Sequence, residues 1–293
     1  MKKVLLLGAA GQLGTGIRKV FAETPIEVTS LTRTEFDADI DTVEPTLEKY
    51  VGSDYVINCI AFHKVDQCEK SPWQSFKINA ELLLDLSQYC DRHDITLIHL
   101  STDYVFDGKK QDAYVETDLP GPLNVYGTSK LAGEMIVKAY APKHFVLRVS
   151  SMFGDTAGDD PNVNFVEKMI DAARRGKELR VIDDQIMSPT HTEDVARLMG
   201  AIVENEVTDY GLYHACNSGE CSWFEFAETI FELTGLQARI SPITYTEFHA
   251  AATRPQYCSM DNSKASGILQ IKPWQEALRD YLRIKGYIKQ GED

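Results

Sequence analysis

The chain has 293 residues, of which 43% are hydrophobic and 25% are charged. This length and composition suit an ordinary globular protein with one large domain or two closely joined domains. The net charge of -14 at pH 7 would repel a phosphate backbone, so nucleic acid is not an expected partner. The longest apolar stretch, Val4 to Ala10, is far below the roughly 18 residues of a membrane span. No signal-peptide layout surrounds it, and we expect a cytoplasmic protein without membrane contact.

The six cysteines contain no CxxC pair. Several lie in apolar surroundings, where a reduced and buried thiol is the ordinary state. No pair of histidines or carboxylates stands out as a metal-binding cluster either. The sequence therefore predicts neither disulfides nor a zinc site, and no metal.

The first half of the chain alternates short apolar runs with stretches of helical periodicity. This alternation is typical of a parallel sheet covered by helices on both faces. We therefore predict an α/β fold, a Rossmann-like doubly wound parallel sheet. The predicted strands are 3–7, 27–31, 55–59, 96–100 and 145–149, and the predicted helices are 11–23, 43–50, 75–92 and 124–140.

After residue 150 the order of the elements changes. An acidic, glycine-rich stretch reads as a loop, and shorter elements follow until a helix at 274–284. We interpret 1–150 as a dinucleotide-binding Rossmann domain and 151–293 as a smaller C-terminal substrate-binding lobe. The chain is expected to re-enter the first domain near 180–205.

Gly8, Gly11 and Gly14 form a GxxGxxG pattern directly after the first predicted strand. Glycines at this point allow a tight turn, and a pyrophosphate can then rest on the free N–H groups of the following helix. The alternative is that the glycines only let the helix and the strand pack closely. The position after the first strand favours a cofactor site.

The residues after the second strand bear on the choice of cofactor. An NAD site usually places an acidic residue there to accept hydrogen bonds from the ribose, but this strand ends in Leu31-Thr32-Arg33. A guanidinium suits the 2′-phosphate of NADPH. We therefore expect NADPH rather than NADH, with a solvated Arg33 as the alternative.

Tyr126 and Lys130 are four residues apart, so they share one face of the predicted helix. A tyrosine can deliver the proton that a ketone reduction needs, and a neighbouring ammonium would lower its pKa. Thr102 follows a strand at the sheet edge where ligands bind, and its hydroxyl could polarise a carbonyl. The spacing alone is not specific, because Tyr281 and Lys285 repeat it. We assign that second pair to a surface helix.

Together these segments resemble the extended short-chain dehydrogenase/reductases and, within them, the dTDP-4-dehydrorhamnose reductases. The resemblance covers nearly the whole chain. The segments that carry it are GAAGQLG (8–14), NCIAFHKVDQCE (58–69), STDYVFDG (101–108), PLNVYGTSKLAGE (122–134), VIDDQIMSPT (181–190), GLYH (211–214) and TRPQYCSMDNSK (253–264).

The resemblance implies reduction of the C4 ketone of dTDP-4-dehydro-L-rhamnose to dTDP-L-rhamnose for cell-surface polysaccharide, with NADPH or NADH as hydride donor. It makes Tyr126 the catalytic acid, Lys130 its helper and Thr102 the polarising hydroxyl. The implied cofactor contacts are Gly8, Gly11, Gln12, Leu13, Gly14, Arg33, Asp39, Ile40, Ala61, Phe62, His63, Tyr126 and Lys130. The implied substrate contacts are Thr102, Asp103, Ser151 and Arg254.

The chain departs from the family pattern near the implied sugar pocket. Ser151 stands where the family commonly has a tryptophan, and extra residues occur around Gly158 to Asn162. His63 replaces a threonine, and we interpret it as a neighbour of the cofactor rather than a base. Another nucleotide-linked 4-keto sugar is therefore an alternative substrate.

Two alternatives concern the activity itself. A non-catalytic regulatory subunit of methionine adenosyltransferase resembles the same family and keeps a similar tyrosine and lysine. Nucleotide-sugar epimerases and dehydratases share the fold but usually retain their NAD. Arg33 and the segment STDYVFDG favour a reductase, and a homodimer is an arrangement that the sequence leaves open.

Overall fold

The computed structural model describes residues 1–156, 164–248 and 250–289. In these ranges the strands are β1 (Lys2–Leu7), β2 (Ile26–Leu31), β3 (Tyr55–Asn58), β4 (Thr96–Thr102), β5 (His144–Val149), β6 (Met152–Phe153), β7 (Glu178–Ile182), β8 (Ile186–Met187), β9 (Thr190–His191), β10 (Gly211–His214), β11 (Cys221–Ser222) and β12 (Arg239–Ile243). The α-helices are α1 (Gln12–Phe21), α2 (Val43–Leu47), α3 (Val65–Lys70), α4 (Pro72–Phe76), α5 (Leu82–Arg92), α6 (Val125–Tyr140), α7 (Phe165–Arg174), α8 (Thr192–Glu204), α9 (Trp223–Thr234), α10 (Tyr245–Phe248), α11 (Ser263–Ser266) and α12 (Trp274–Ile284). Glu48–Tyr50 and Asp103–Val105 form 3-10 turns, and Lys77–Glu81 forms a π-helical turn.

Six parallel strands form the main sheet in the order β10-β5-β4-β3-β1-β2. The chain winds outward from β1 in both directions, so the order reverses beside β1. Ligands of such sheets bind at this reversal, beyond the carboxyl ends of the strands. The predicted Rossmann-like parallel sheet is confirmed.

Helices cover the sheet on both faces because its strands are apolar on both sides. Val4 and Leu6 of β1 join the core beneath α1 and α8, whereas Leu5 and Leu7 join the core beneath α2, α5 and α6. Alternate residues of a strand point to opposite faces, which explains this division. The near-continuous apolar runs predicted such a doubly covered sheet.

A third apolar cluster lies in the second half of the chain. It packs α7, α9 and α12 around residues such as Phe226, Trp274 and Tyr281. The intervening α8 and β10 belong with the main sheet, because α8 packs on α1 and β10 pairs with β5. The assignment of 1–150 and 151–293 as separate domains stays a prediction.

Two details differ from the sequence-based expectation. The helix predicted at 75–92 is interrupted by the π-helical turn, where α6 approaches so closely that a Cβ on Gly133 would lie 2.3 Å from the Asn79 carbonyl oxygen. Tyr281 is not a surface residue. It is 1% exposed and hydrogen-bonds Glu167, so it belongs to the third apolar cluster. Nowhere in the described ranges is a helix long and apolar enough to cross a membrane.

Candidate active site

A cavity of about 450 Å³ opens at the carboxyl ends of β1 and β3. It lies at the reversal of strand order, and its volume is within the range of small-molecule sites. Seven of the residues predicted to bind the cofactor line it: Gly8, Gly11, Arg33, Asp39, Ala61, Phe62 and His63.

The turn between β1 and α1 requires glycine at two positions, Gly8 and Gly14. Gly8 has a φ of 78°, in the left-handed region that favours glycine. A Cβ on Gly14 would lie 2.4 Å from the Gly8 carbonyl oxygen, so α1 packs tightly on the turn. Gly11 caps α1 without a side-chain hydrogen bond. The backbone N–H groups of the first turn, at Gln12 and Leu13, therefore suit an anionic ligand.

The side chains of these two residues point elsewhere. Leu13 is 4% exposed and packs in the core, while the Gln12 amide donates to the Gly154 carbonyl at 3.3 Å. Any contact of theirs with a pyrophosphate would come from the backbone. The glycine turn, the free helix end and the adjoining cavity together fit a dinucleotide cofactor.

Arg33 lies in the cavity wall with 78% of its side chain exposed. Its Nε donates to the Asp37 carboxylate at 2.9 Å, and this hydrogen bond, more than any other interaction, holds the pKa of Asp37 below its usual range. Asp37 is an acidic residue that was missed at the sequence level, because it lies four residues after Arg33 and beyond the end of β2. Asp39 also lines the cavity, whereas Ile40 is 79% exposed. The rim thus offers both a cation and carboxylates.

The segment after β3 is held in place by the π-helical turn. The Asn79 side chain accepts a hydrogen bond from the Phe62 N–H at 2.9 Å and donates to the Phe62 carbonyl at 3.0 Å. It also donates to the Ser129 hydroxyl, which precedes Lys130. Sequence reasoning missed Asn79. Helices with π turns often carry functional residues there, and no sequence signal marks this one.

Tyr126 lies in the first turn of α6, beside the end of β4. The Asn124 side chain caps this helix, and the Glu69 carboxylate accepts a hydrogen bond from the Val125 N–H at 2.8 Å. Burial raises the pKa of the Tyr126 hydroxyl, and a hydrogen bond with Thr102 lowers it by less. The phenol consequently keeps its proton at neutral pH, as a proton donor must.

Lys130 is 1% exposed, and burial lowers its pKa to about 8. Its Nζ donates to the Leu100 carbonyl at 2.5 Å and lies 3.2 Å from His99 Nε2. The effects on the pKa of Tyr126 come from burial, Thr102, Asp103 and Cys68. Lys130 is not among these causes, because its amine is engaged on the β4 side. The expectation that the ammonium lowers the pKa of Tyr126 stays a prediction.

Thr102 is 5% exposed and ends β4 at the same edge of the sheet. Its hydroxyl donates to Asp103 at 2.9 Å, and the second Asp103 oxygen accepts from Ser150 at 2.7 Å. Asp103 is itself 3% exposed, and burial raises its pKa. Asp103 thus orients the hydroxyl of Thr102. A direct contact between Asp103 and a substrate stays a prediction.

Ser151 follows this cluster with a φ of 38°, and its carbonyl accepts a hydrogen bond from Thr190. A serine there fills less of the neighbouring space than an aromatic residue would. The extra residues noted around Gly158 to Asn162 lie outside the described residues.

Arg254 reaches the site from the second half of the chain. Its guanidinium contacts both oxygens of Asp66 at 3.3 Å and hydrogen-bonds Tyr104, whose ring packs edge-on against Tyr126. The side chain is 16% exposed. A cation in this position can meet an anionic group of a ligand if it releases Asp66.

Two buried polar residues beneath the site were also missed. Asn58 and His99 lie opposite each other on β3 and β4 and contact Lys130 through the His99 ring. The signal was present in the sequence, because each interrupts an otherwise apolar strand. In the part of the chain that the structure describes, no cluster of three or more His, Cys, Asp or Glu residues could hold a metal ion.

Comparison with known proteins agrees with this geometry. The family described as RmlD substrate binding domain matches residues 1–286. A dTDP-4-dehydrorhamnose reductase of Aggregatibacter actinomycetemcomitans is 33% identical, over 96% of this chain and 98% of that protein. The chain belongs to the dTDP-4-dehydrorhamnose reductase family.

Two further proteins are similar to this chain over nearly its whole length. The spore coat polysaccharide biosynthesis protein SpsK of Bacillus subtilis is 37% identical, over 97% of this chain and 98% of that protein. The crystal structure of a dTDP-4-dehydrorhamnose reductase from Bacillus anthracis, in complex with NADP, superposes with a TM-score of 0.87. It is 33% identical and covers 96% of this chain and 99% of its own. The suspected family is confirmed, and with it the assignment to NAD(P)H-dependent oxidoreductases.

Proposed function

We propose that this protein reduces the C4 ketone of dTDP-4-dehydro-L-rhamnose to dTDP-L-rhamnose for cell-surface polysaccharide, with NADPH or NADH. The observation that carries the proposal is the meeting of Tyr126, Thr102 and Lys130 at the carboxyl end of β4, beside the glycine-lined cavity. Family membership supports the substrate class, since relatives bear this enzyme name. The activity in the cytoplasm and a homodimeric assembly stay predictions.

A reduced nicotinamide, when bound, supplies the hydride. The backbone N–H groups after Gly11 would hold its pyrophosphate, and the walls at Arg33 and Ala61 would flank the rest. NADPH is the preferred donor, because Arg33 can bind a 2′-phosphate. Asp37 offers the ribose of NADH an acceptor at the same rim, so the preference depends on which of the two side chains dominates.

Tyr126 would deliver a proton to the ketone oxygen while the carbon is reduced. Its raised pKa favours the protonated form in the free protein, and the developing alkoxide draws the proton away. Thr102 would turn its hydroxyl from Asp103 to the same oxygen, since a hydroxyl rotor can choose between acceptors. Lys130 would hydrogen-bond the cofactor ribose and stabilise the phenolate left on Tyr126.

The test mixes purified protein with NADPH or NADH and dTDP-4-dehydro-L-rhamnose and follows the nicotinamide absorbance. We expect rapid oxidation that Tyr126→Phe abolishes. Tyr140→Phe is the matched control, because Tyr140 is a half-exposed tyrosine at the other end of α6. Oxidation that survives in Tyr126→Phe would contradict the proposed acid. Co-purification with a synthetase and no turnover of any keto sugar would instead support a regulatory subunit.

A second candidate is a reductase of another nucleotide-linked 4-keto sugar. Ser151 favours it, because the smaller side chain changes the wall of the expected sugar pocket and leaves Tyr126 and Thr102 in place. Turnover of a panel of dTDP-4-keto sugars, compared as kcat/KM, distinguishes the two candidates.

A further inference from the structure

His99 lies in the interior of β4 between two polar side chains. Asn58 is its direct neighbour across the sheet, with Asn58 Nδ2 at 3.3 Å from His99 Nδ1. Lys130 of α6 approaches from the other side, with Nζ at 3.2 Å from His99 Nε2. All three side chains are at most 1% exposed. They therefore form a closed row that water does not interrupt.

The backbone fixes which end of the Asn58 amide faces His99. Asn58 Oδ1 accepts a hydrogen bond from the Ile60 N–H at 3.0 Å. The Asn58 NH₂ group is consequently turned toward His99 Nδ1 and can only donate to it. Ile60 itself lines the cofactor cavity, so the orientation of the amide is tied to the cavity wall.

The ring of His99 is neutral in this setting. Burial and the charge of Lys130 hold the pKa of His99 well below its usual range. A neutral imidazole carries one N–H and one lone pair. Since Asn58 donates to Nδ1, the ring proton belongs on Nε2, where it faces Lys130.

Only an unprotonated Lys130 amine can accept that proton in a hydrogen bond. A Lys130 ammonium donates, so it requires the lone pair on His99 Nε2 and the proton on Nδ1. This second tautomer sets a ring N–H against the Asn58 NH₂ group, and two buried donors that face each other are costly. Each protonation state of Lys130 therefore selects its own tautomer of His99.

We propose that His99 is a positioning residue whose neutral ring changes tautomer when Lys130 gains or loses a proton, and that Asn58 opposes the tautomer that accompanies the ammonium. In this change Lys130 exchanges one proton with solvent, while the ring of His99 carries one proton throughout. The charged and titratable groups that act on Lys130 besides His99 are Glu134 and the Cys59 thiol. Glu134 is already paired with Arg148 at 2.6 Å.

The significance of this coupling for catalysis rests on the proposed function. There, Lys130 must donate a hydrogen bond to the cofactor ribose and must stabilise the phenolate of Tyr126 after proton transfer. Since Ile60 holds Asn58, a ligand that shifts the cavity wall would alter the preference of His99 and thereby the proton affinity of Lys130.

Nitrogen-15 spectra of protein labelled at histidine test the coupling without any turnover. The signals of His99 are identified by their loss in His99→Gln. We expect the Nε2–H tautomer at high pH and the Nδ1–H tautomer at low pH, with the change centred near pH 8, where Lys130 titrates. A His99 ring that keeps one tautomer from pH 6 to 10, or that becomes an imidazolium at the transition, would overturn the proposal.

Two variants sharpen the test. Lys130→Met should remove the pH-dependent change, whereas Lys138→Met, at an exposed position of the same helix, should leave it intact. Asn58→Asp supplies acceptors for both Ile60 and His99 Nδ1–H. It should hold the Nδ1–H tautomer at all pH values and raise the pKa of Lys130 by about one unit or more. If the spectra change as expected but no keto sugar is reduced, the coupling stands and the proposed function fails.

Discussion

Replacing Lys130 by methionine should remove a pH dependence of the wild type, whose stability against unfolding rises between about pH 8 and 10.5. The Lys130 amine is buried, and burial lowers its pKa from 10.5 to about 8. The unfolded chain then binds more protons than the folded protein between these two values, so the stability of the wild type rises with pH in that interval. Methionine carries no proton and lacks this dependence.

The magnitude follows from the two pKa values. Their difference corresponds to about 3 kcal/mol of destabilisation, present in full below pH 8 and lost as the pH rises through 10.5. Between pH 7 and 9.5 the wild type should gain about 2 kcal/mol relative to Lys130→Met. The absolute difference at pH 7 is smaller, because the variant leaves the Leu100 carbonyl and His99 Nε2 without a hydrogen-bond partner, at about 1–3 kcal/mol each.

The assay is urea unfolding of both proteins at several pH values, followed by tryptophan fluorescence. Lys138→Met is the matched control, since its side chain is exposed on the same helix. Its difference from the wild type should stay constant with pH. A constant difference for Lys130→Met as well would refute the reasoning, because it would mean that Lys130 keeps an ordinary proton affinity in the folded state.

Three further predictions concern activity and are read from steady-state kinetics with dTDP-4-dehydro-L-rhamnose. Thr102→Val should lower kcat by about 10²-fold to 10³-fold, as for loss of one donor to a developing oxyanion, whereas Thr102→Ser should retain most of it. Equal losses in both variants would remove the role of the hydroxyl. Arg33→Ala should weaken NADPH by about 10-fold or more and leave NADH nearly unchanged, because only NADPH carries the 2′-phosphate. An unchanged ratio of the two KM values would identify Arg33 as a solvated residue. Arg254→Gln should raise the KM for the nucleotide sugar by about 10-fold with little effect on kcat, and an unchanged KM would exclude Arg254 from binding the diphosphate.

The parts of the fold that the sequence predicted are those governed by local periodicity. Strand β1 and helix α1 have the expected character along their lengths, because apolar spacing alone determines which face is buried. The π-helical turn at Lys77–Glu81 could not be predicted in this way. It depends on the close approach of α6 at Gly133, a contact between distant segments that leaves no periodic signal.

The same division applies to the candidate site. Tyr126 and Thr102 could be put forward as candidates from the sequence because their motifs are local. The ion pair between Arg254 and Asp66 joins residues that are 188 positions apart in the sequence, so no local motif predicts it. Tyr281 was misplaced on the surface for the corresponding reason, since its ring contacts Phe153 and His191 and its hydroxyl donates to Glu167, all in elements other than its own helix.

We expect sugar recognition and reduction chemistry to be separable in this site, because the residues proposed for them lie at different ends of one row. Asp103 orients Thr102 through one oxygen and accepts the Ser150 hydroxyl through the other. The next residue, Ser151, departs from the family pattern, yet it follows Ser150 with its backbone held by Thr190. A change of side chain at Ser151 can therefore reshape the pocket without moving Thr102. If the substrate differs from that of the relatives, we expect kcat/KM to differ among sugars while the effect of Tyr126→Phe stays the same for each.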